Sequence, residues 1–364
     1  MILGAGPRDA AFSFQEKISY LAFHKAKAVL LVEPIVDRKS DGLMQHLSGD
    51  QMLLEGSPEL VSLENMTQGI PIIYIGQKVA DALLNTAKTD VVALRKTLMD
   101  SNKPFPFLFK TNFSAQASRV LQTVNPINVL GYIAGTDPVL KDEVLLLSAH
   151  YDHLGINHYT AGDSINNGAD DNGSGTSGIL LIADAFMEAI KAGKGPKRSI
   201  LFMAATGEEK GLLGSSWYVN HPVMPLDITI ANLNVDMIGR ADTLPHPDIN
   251  YIYIIGADRL SNDLDRVVKQ TNSDYTKLEL DERYNVRNDP FQLYYRSDHY
   301  NFAKQGIPVT FYFGGFHGDY HRPSDEFDKI DFELLCKRAQ LIFYTAWELA
   351  NAPTRPIVDK KIDK

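Results

Sequence analysis

The sequence holds a single cysteine, Cys336, which excludes an internal disulfide framework and a cysteine-built zinc cluster and leaves the redox compartment open. It lacks an apolar run of about 18 residues, the length a membrane-crossing helix needs. Its opening, Met1-Ile2-Leu3-Gly4-Ala5-Gly6-Pro7, has neither the charged nor the apolar segment of a signal peptide. A basic excess is missing too: 36 Lys and Arg stand against 45 Asp and Glu, a net charge of -9. Nucleic acid is therefore a poor main partner, because phosphate binding draws on a basic face. No Gly-x-Ser-x-Gly pattern surrounds Ser174 or Ser215, so a serine-hydrolase reading has no nucleophile elbow. Internal repeats and low-complexity tracts are also absent. The remaining composition is ordinary for a folded chain, 44% hydrophobic over 364 residues, enough for one large domain or two medium ones.

What is present centres on Val144 to Gly178, where the apolar run Val144-Leu145-Leu146-Leu147 breaks into His150-x-Asp152 and then into a loop rich in Gly, Asn and Asp. A run without alternation is the pattern of a strand covered on both faces in a parallel sheet. In an extended backbone His150 and Asp152, at i and i+2, point to the same side. Gly168-Ala169-Asp170-Asp171-Asn172-Gly173-Ser174-Gly175 then leads into a helical pattern. Carboxylates so close repel one another unless a cation neutralises them. The same loop also reads as an Asx-rich turn capping the helix that follows.

Residues 1–124 read as a small mixed domain, with helical patterns over 14–25, 77–85 and 91–99 and strand signals over 28–32 and 71–76. Between residues 33 and 69 the pattern is mostly irregular, and 107–113 and 118–124 read as extended. No catalytic grouping shows there, which suits a structural or substrate-gating role. From Asn125-Pro126 to residue 352, strand and helix patterns alternate as in a doubly wound, mostly parallel α/β sheet flanked by helices. The strands are expected at 128–134, 144–149, 199–205, 228–236, 251–255 and 308–313. The helices are expected at 179–191, 212–220, 261–272, 298–304 and 332–350. A polar tail, 353–364, is expected to fray.

Four polar groups directly follow expected strands, where open α/β sheets gather their ligands. They are His150 with Asp152, the pair Glu208-Glu209, Asp236, and His321. Two histidines and three carboxylates suit two borderline-hard ions, zinc first and cobalt or manganese as substitutes. One carboxylate must then bridge, and Asp170 is the natural candidate, since a loop entering a helix can aim both oxygens into a cleft. Two metals about 3.5–4 Å apart can share a water, lower its pKa and polarise a carbonyl.

In order along the chain stand His150-x-Asp152, Gly168 to Gly175, Gly207-Glu208-Glu209-x-Gly211-Leu212-Leu213-Gly214-Ser215, Asn234-x-Asp236-Met237 and Tyr320-His321-x-x-Ser324-Asp325. Together, over about Asn128 to Ala350, they resemble the double-zinc aminopeptidases related to glutamate carboxypeptidase and the transferrin receptor. The resemblance implies that one zinc takes His150 and Asp236, that the other takes Glu209 and His321, and that Asp170 bridges. By the same resemblance Asp152 orients His150, Glu208 is the general base, Tyr320 donates to the developing oxyanion, and the Asp170-Asp171 peptide is cis. The N-terminal part resembles the protease-associated domain inserted in many members. Because catalytic-domain elements precede that insert in the family, a truncated start is expected here. A periplasmic or extracellular setting is also implied.

The expected activity is zinc-dependent exopeptidase hydrolysis of peptides, with release of N-terminal residues. Carboxypeptidase or dipeptidase action, glutaminyl cyclisation and a receptor-like binding role without catalysis are the competing readings. The sequence sets neither side-chain preference nor oligomeric state. Among other residues, His153 and His158 read as loop histidines, His299 as a cleft-wall or helix-start residue and His317 as a cleft residue. Phe291, Tyr294 and Tyr295 read either as a side-chain pocket or as core.

Overall fold

The computed structural model describes residues 2–3, 14–32, 52–55, 57, 70–101, 107–116, 122–157, 162–244, 246 and 248–361. The irregular stretch expected between 33 and 69, much of the extended segment expected at 118–124, and His158 lie largely or wholly outside them. The chain divides into two units, Met1–Thr123 with Asn157–Gly162, and Val124–Ile156 with Asp163–Lys364.

In the first unit, strands β1 (Ile2–Leu3), β2 (Val29–Val32) and β3 (Ile72–Ile75) pair in parallel in that order. Helices Phe14–Phe23, Gln77–Leu84 and Val91–Ser101 accompany them. Val32, Ile75, Ala80, Leu83, Leu84 and Val91 form a small core of their own. β2 and β3 coincide with the two strand signals of this part of the sequence, whereas the two-residue β1 was not expected.

The second unit contains β4 (Val129–Ile133), β5 (Val144–His150), the short pair β6 (Gly155–Ile156) and β7 (Ile165–Asn166), β8 (Ser199–Ala205), β9 (Thr229–Asp236), β10 (Tyr251–Ile255), β11 (Glu279–Asp281) and β12 (Val309–Phe313). Seven of these form one sheet, in the order β11-β10-β12-β9-β5-β8-β4. Its centre, β12, β9, β5 and β8, is parallel, while β4 and β10 pair antiparallel to their inner neighbours. The sheet is thus mostly parallel, as its unbroken apolar runs predict. The β6-β7 pair and β11 were not legible in the sequence, because two or three residues carry no periodicity.

Every residue of β5 is buried. Leu145 and Leu147 belong to the core on one face, together with Ile179, Ile182 and Phe186 of helix Gly175–Lys191 and Leu335 and Ile342 of helix Phe332–Asn351. Val144 and Leu146 belong to the core on the other face, with Tyr218 and Phe302. This two-sided burial is why the strand shows no alternation. The closing helix begins at a conventional cap, Asp331 accepting the Leu334 N–H at 3.0 Å.

The chain leaves β5, returns as β8 on one side of it, and passes on to β9 on the other side. This reversal opens a crevice at the carboxyl ends of the strands, where His150, Ala205, Asp236 and Phe313 end their strands on one rim. The described part of the tail, residues 353–361, is held down, contrary to the expected fraying. Arg355 donates to the carbonyls of Asp227 and Thr229 at 2.9 and 3.0 Å, and Asp359 accepts from the Asn262 N–H at 3.1 Å. Among the described residues, no helix is long and apolar enough to cross a membrane.

Candidate metal centre

His150, at the end of β5, is buried, and its Nδ1 donates to the backbone carbonyl of Asp152 at 2.9 Å. That bond occupies Nδ1, fixes the ring's orientation and leaves Nε2 facing the rim. Nε2 faces Asp171 Oδ1 at 3.3 Å, Asp236 Oδ1 at 3.4 Å and Glu208 Oε2 at 3.9 Å. The resemblance assigns Asp152 the role of orienting His150. The carbonyl of Asp152 does this, while its carboxylate turns to the Glu208 N–H at 3.4 Å.

The loop after β7 corrects two expectations. The carboxylate standing between the two histidines is Asp171, with Oδ1 toward His150 and Oδ2 3.2 Å from His321 Nε2. Asp170, expected to bridge, is fully buried behind it, with Oδ1 accepting the Gly239 N–H at 2.7 Å and Oδ2 3.3 Å from His317 Nε2. The cis peptide lies at Asp171-Asn172 and not at Asp170-Asp171. Adjacent residues on such a loop point in different directions, so only one of the two acids can reach the histidines.

Three anchors hold that loop. The buried Asp325 carboxylate accepts the N–H groups of Asp170 and Asp171 at 3.1–3.2 Å. Asn172 donates to the Val235 carbonyl at 2.9 Å and accepts from Gly175 N and Met237 N at 2.9 and 3.1 Å, tying the loop to the end of β9. Gly175 must be glycine there, because a Cβ would lie 2.1 Å from Asn172 Oδ1 and 2.4 Å from the Val235 carbonyl oxygen. Third, Arg338 on the closing helix donates to the carbonyls of Ile238 and Arg240 at 2.9 and 2.7 Å, steadying the turn that presents Gly239 to Asp170.

Asp236 Oδ2 accepts from Ser297 Oγ at 2.7 Å, and Ser297 in turn accepts from Asn234 Nδ2 at 2.8 Å. Buried Ser148 and Asn232 continue this polar chain beneath the rim. The tight turn after β8 places Glu208 and Glu209 side by side on a short helical turn. Glu208 faces His150, and Glu209 Oε2 lies 3.3 Å from His321 Nε2. His321, at φ +59, stacks on Tyr320 with ring centroids 3.8 Å apart.

Burial pushes the Glu208 carboxyl well above the usual carboxylate range; His150 opposes this, and Asp236, Asp298 and Glu209 add to it. Asp298, deep beneath, is pushed up to about 6 by its burial. Burial works against a charged Asp171, yet the His150 and His321 rings on either side hold it below the ordinary range. His321 would be lowered by burial, but Asp171 and Glu209 carry it up to about 9. Burial, and then the Asp171 charge, push the Tyr320 hydroxyl up, so it remains a donor.

Two sets of groups converge closely enough to hold a metal ion: His150, Glu208 and Asp236, and His153, Asp171 and Glu209. The donor chemistry fits zinc, imidazole nitrogens and carboxylate oxygens with no thiolate. His150 Nε2 and Glu209 Oε1 are buried without a hydrogen-bond partner among the described residues. Buried ring nitrogens and carboxylate oxygens crowded together without hydrogen-bond partners are costly unless a cation lies among them.

Beside these groups opens a cleft lined by Met237, Leu293, Phe311, Phe313, Phe316 and Tyr320, with Arg296 at its edge. Tyr294 belongs to the core, and Phe291 is half exposed; neither lines the cleft. His317 is buried behind the Asp171 loop instead of lining the cleft, and His299 opens its helix fully buried. Ser215 donates to Leu212 O and to Asp298, and Ser174 to Asp170 O, so both serines serve structure. Sequence reasoning did not single out Asp171, which stands between His150 and His321, nor Asn172, Ser297 and Asp325 around it. The tyrosine-histidine motif ending in Ser324-Asp325 was a signal for the last of these.

A probable leucine aminopeptidase of Arthroderma benhamiae is 29% identical over 220 residues, 59% of this chain and 56% of the relative. Leupeptin-inactivating enzyme 1 of Streptomyces exfoliatus is 29% identical over 271 residues, 67% and 54% of the two chains. The chain thus spans about half the length of the curated relatives it matches. Among solved structures, an aminopeptidase from Aneurinibacillus sp. strain AM-1 is similar with a TM-score of 0.54 at 17% identity, over 100% of this chain and 71% of that one. BSAP, a zinc aminopeptidase from Bacillus subtilis, gives 0.53 at 21%, over 100% and 73%. These two likenesses show a shared fold. The sequence profile described as Peptidase family M28 matches residues 128–346, more than half of the chain and all of the rim residues described above, and the chain belongs to that family.

Proposed function

We propose that the chain is a zinc-dependent aminopeptidase that releases N-terminal residues from peptides. The observation that carries this reading is Asp171, which reaches His150 with one oxygen and His321 with the other, beside Glu208 and an apolar cleft. His150 and Asp236 would hold one zinc ion, Glu209 and His321 a second, and Asp171 both, in place of Asp170. Bound there, zinc supplies Lewis acidity toward a carbonyl and lowers the pKa of water.

The chain's own residues supply the remaining chemistry. Glu208, with its raised proton affinity, takes a proton from the attacking water and passes it to the departing amine nitrogen. Asp152 accepts the Glu208 N–H and so steadies the turn that carries this residue. The Tyr320 hydroxyl donates to the oxygen that gains charge as the carbonyl is attacked. Met237, Leu293, Phe311, Phe313 and Phe316 receive an apolar side chain and exclude water from it.

The relatives' printed names, leucine aminopeptidase and zinc aminopeptidase, support this reading. Arg296 at the cleft edge favours a second one, dipeptidase or carboxypeptidase action, since a guanidinium can pair with a terminal carboxylate. Leucine p-nitroanilide and a series of free, N-acetylated and C-amidated peptides distinguish the two. The aminopeptidase reading expects cleavage that needs a free α-amine, tolerates C-amidation, and disappears on chelation. Cleavage of the acetylated peptides, or full turnover in metal-free protein, refutes it.

A further inference from the structure

We propose that His153 is a metal ligand on the Glu209 side of the centre, giving that ion two imidazoles where the family's motifs supply one. The inference rests on the two-ion reading above. His153 follows β5 on the short path to β6, and its side chain is only 6% exposed, against 36% for His321. Its Nδ1 lies 2.7 Å from Glu209 Oε1 and 3.8 Å from Asp171 Oδ2. Nδ1 is thus paired with Glu209 by charge and short distance but without hydrogen-bond alignment, and Nε2 has no hydrogen-bond partner among the described residues. An imidazole packed this deeply, with one nitrogen pressed against a buried carboxylate and the other unpartnered, is the arrangement a ligand shows before its ion arrives.

The ring is also held in place by the loop that carries Asp171. Gly168, at φ +66, lies directly under it, and a Cβ there would lie 2.6 Å from His153 Cγ and 2.2 Å from the Asp171 carbonyl oxygen. The bare backbone of Gly168 therefore lets the ring approach and fixes its tilt. His153 and His321 come at Glu209 from two sides, Nδ1 of one toward Oε1 and Nε2 of the other toward Oε2, with ring centroids 5.7 Å apart. Two imidazoles and two carboxylates make a four-donor zinc set. The opposite group, His150, Asp236 and Asp171, holds one imidazole, so the two ions bind unequally and the Glu209 side fills first.

The test uses the whole chain, stripped of metal and titrated with zinc and then cobalt(II), in wild type and in His153→Phe, which keeps a ring over Gly168 but offers no nitrogen. Expected are two zinc ions per wild-type chain, and in His153→Phe a roughly 10- to 100-fold weaker affinity for the ion that fills first, with a changed visible cobalt spectrum for that ion. Wild-type affinities and an unchanged spectrum in the variant overturn the proposal. Should the variant fail to fold, the wild-type chain labelled with ¹⁵N-histidine and loaded with ¹¹³Cd decides: cadmium coupling to the Nδ1 of His153 supports ligation, and its absence overturns it. A wild-type chain that takes up a single ion overturns the two-ion reading alone, and the same variant and coupling still decide for His153. One that takes up none overturns both.

Discussion

Asp170 and Asp171 are neighbours of identical chemistry, and the fold gives them opposite duties, so alanine at each should damage a different observable. Asp170→Ala strips the acceptor from the Gly239 N–H, a 2.7 Å bond in a fully buried setting. Losing a bond to a charged acceptor and leaving its donor unpaired costs about 2–3 kcal/mol. For a unit of this size that lowers the melting temperature by about 4–12 °C, with zinc affinity changed only a few-fold. Asp171→Ala removes oxygens 3.3 and 3.2 Å from His150 and His321. Supporting residues of metal centres cost about 10–100-fold, so loss of a shared ligand should weaken one ion by more than about 100-fold. Calorimetric melting of the metal-free proteins, followed by competitive zinc titration of each, separates the two outcomes. If Asp170→Ala loses an ion at an unchanged melting temperature while Asp171→Ala keeps both ions, the assignment of the shared ligand to Asp171 is wrong.

Glu208→Gln should keep both ions and lose about 10²–10⁴-fold in turnover, since the general base acts in the chemical step; single-turnover rates with parallel zinc analysis check this, and loss of an ion would make Glu208 a ligand. Asp325→Ala leaves the Asp170 and Asp171 N–H groups without their buried acceptor, a cost of about 3 kcal/mol, and should weaken zinc binding as well; urea midpoints and zinc titration would expose an indifferent variant. His299, packed between the rings of Tyr294 and Phe311, is pushed down to about 3 by burial. Below about pH 6.5 the unfolded chain therefore binds a proton that the folded chain refuses, and stability falls as pH falls, by about 2 kcal/mol between pH 7 and pH 5. His299→Phe should remove that part of the slope in metal-free protein, and urea midpoints at the two pH values that fall as steeply as in wild type would contradict it.

The sequence by itself determined the strands that build the rim and the kinds of residue they carry. Unbroken apolar runs at Val144 and Ile200 can only be satisfied by burial on both faces, and the acids and histidines that follow such strands arrive together at the open end of the sheet. The mostly parallel sheet and the residue types of the centre follow from that logic, and the five ordered motifs carry the family. Short elements such as β6, β7 and β11 do not, because their pairing depends on neighbours distant in the chain.

Only the tertiary structure decided which atom of each residue faces the centre. Asp170 and Asp171 occupy equivalent places in the motif, and the choice between them came from a backbone held by Asp325 and Asn172. Asp152 steadies His150 through its carbonyl, an atom every residue possesses and no sequence pattern marks. His153 is a loop histidine as the sequence suggests, and only the folded chain sets it between Gly168 and Glu209. Ser297, 61 residues from Asp236, holds that carboxylate by a contact that exists only once the sheet has closed. Local periodicity encodes burial and direction along an element, whereas side-chain orientation in irregular loops is fixed by hydrogen bonds to chain far away.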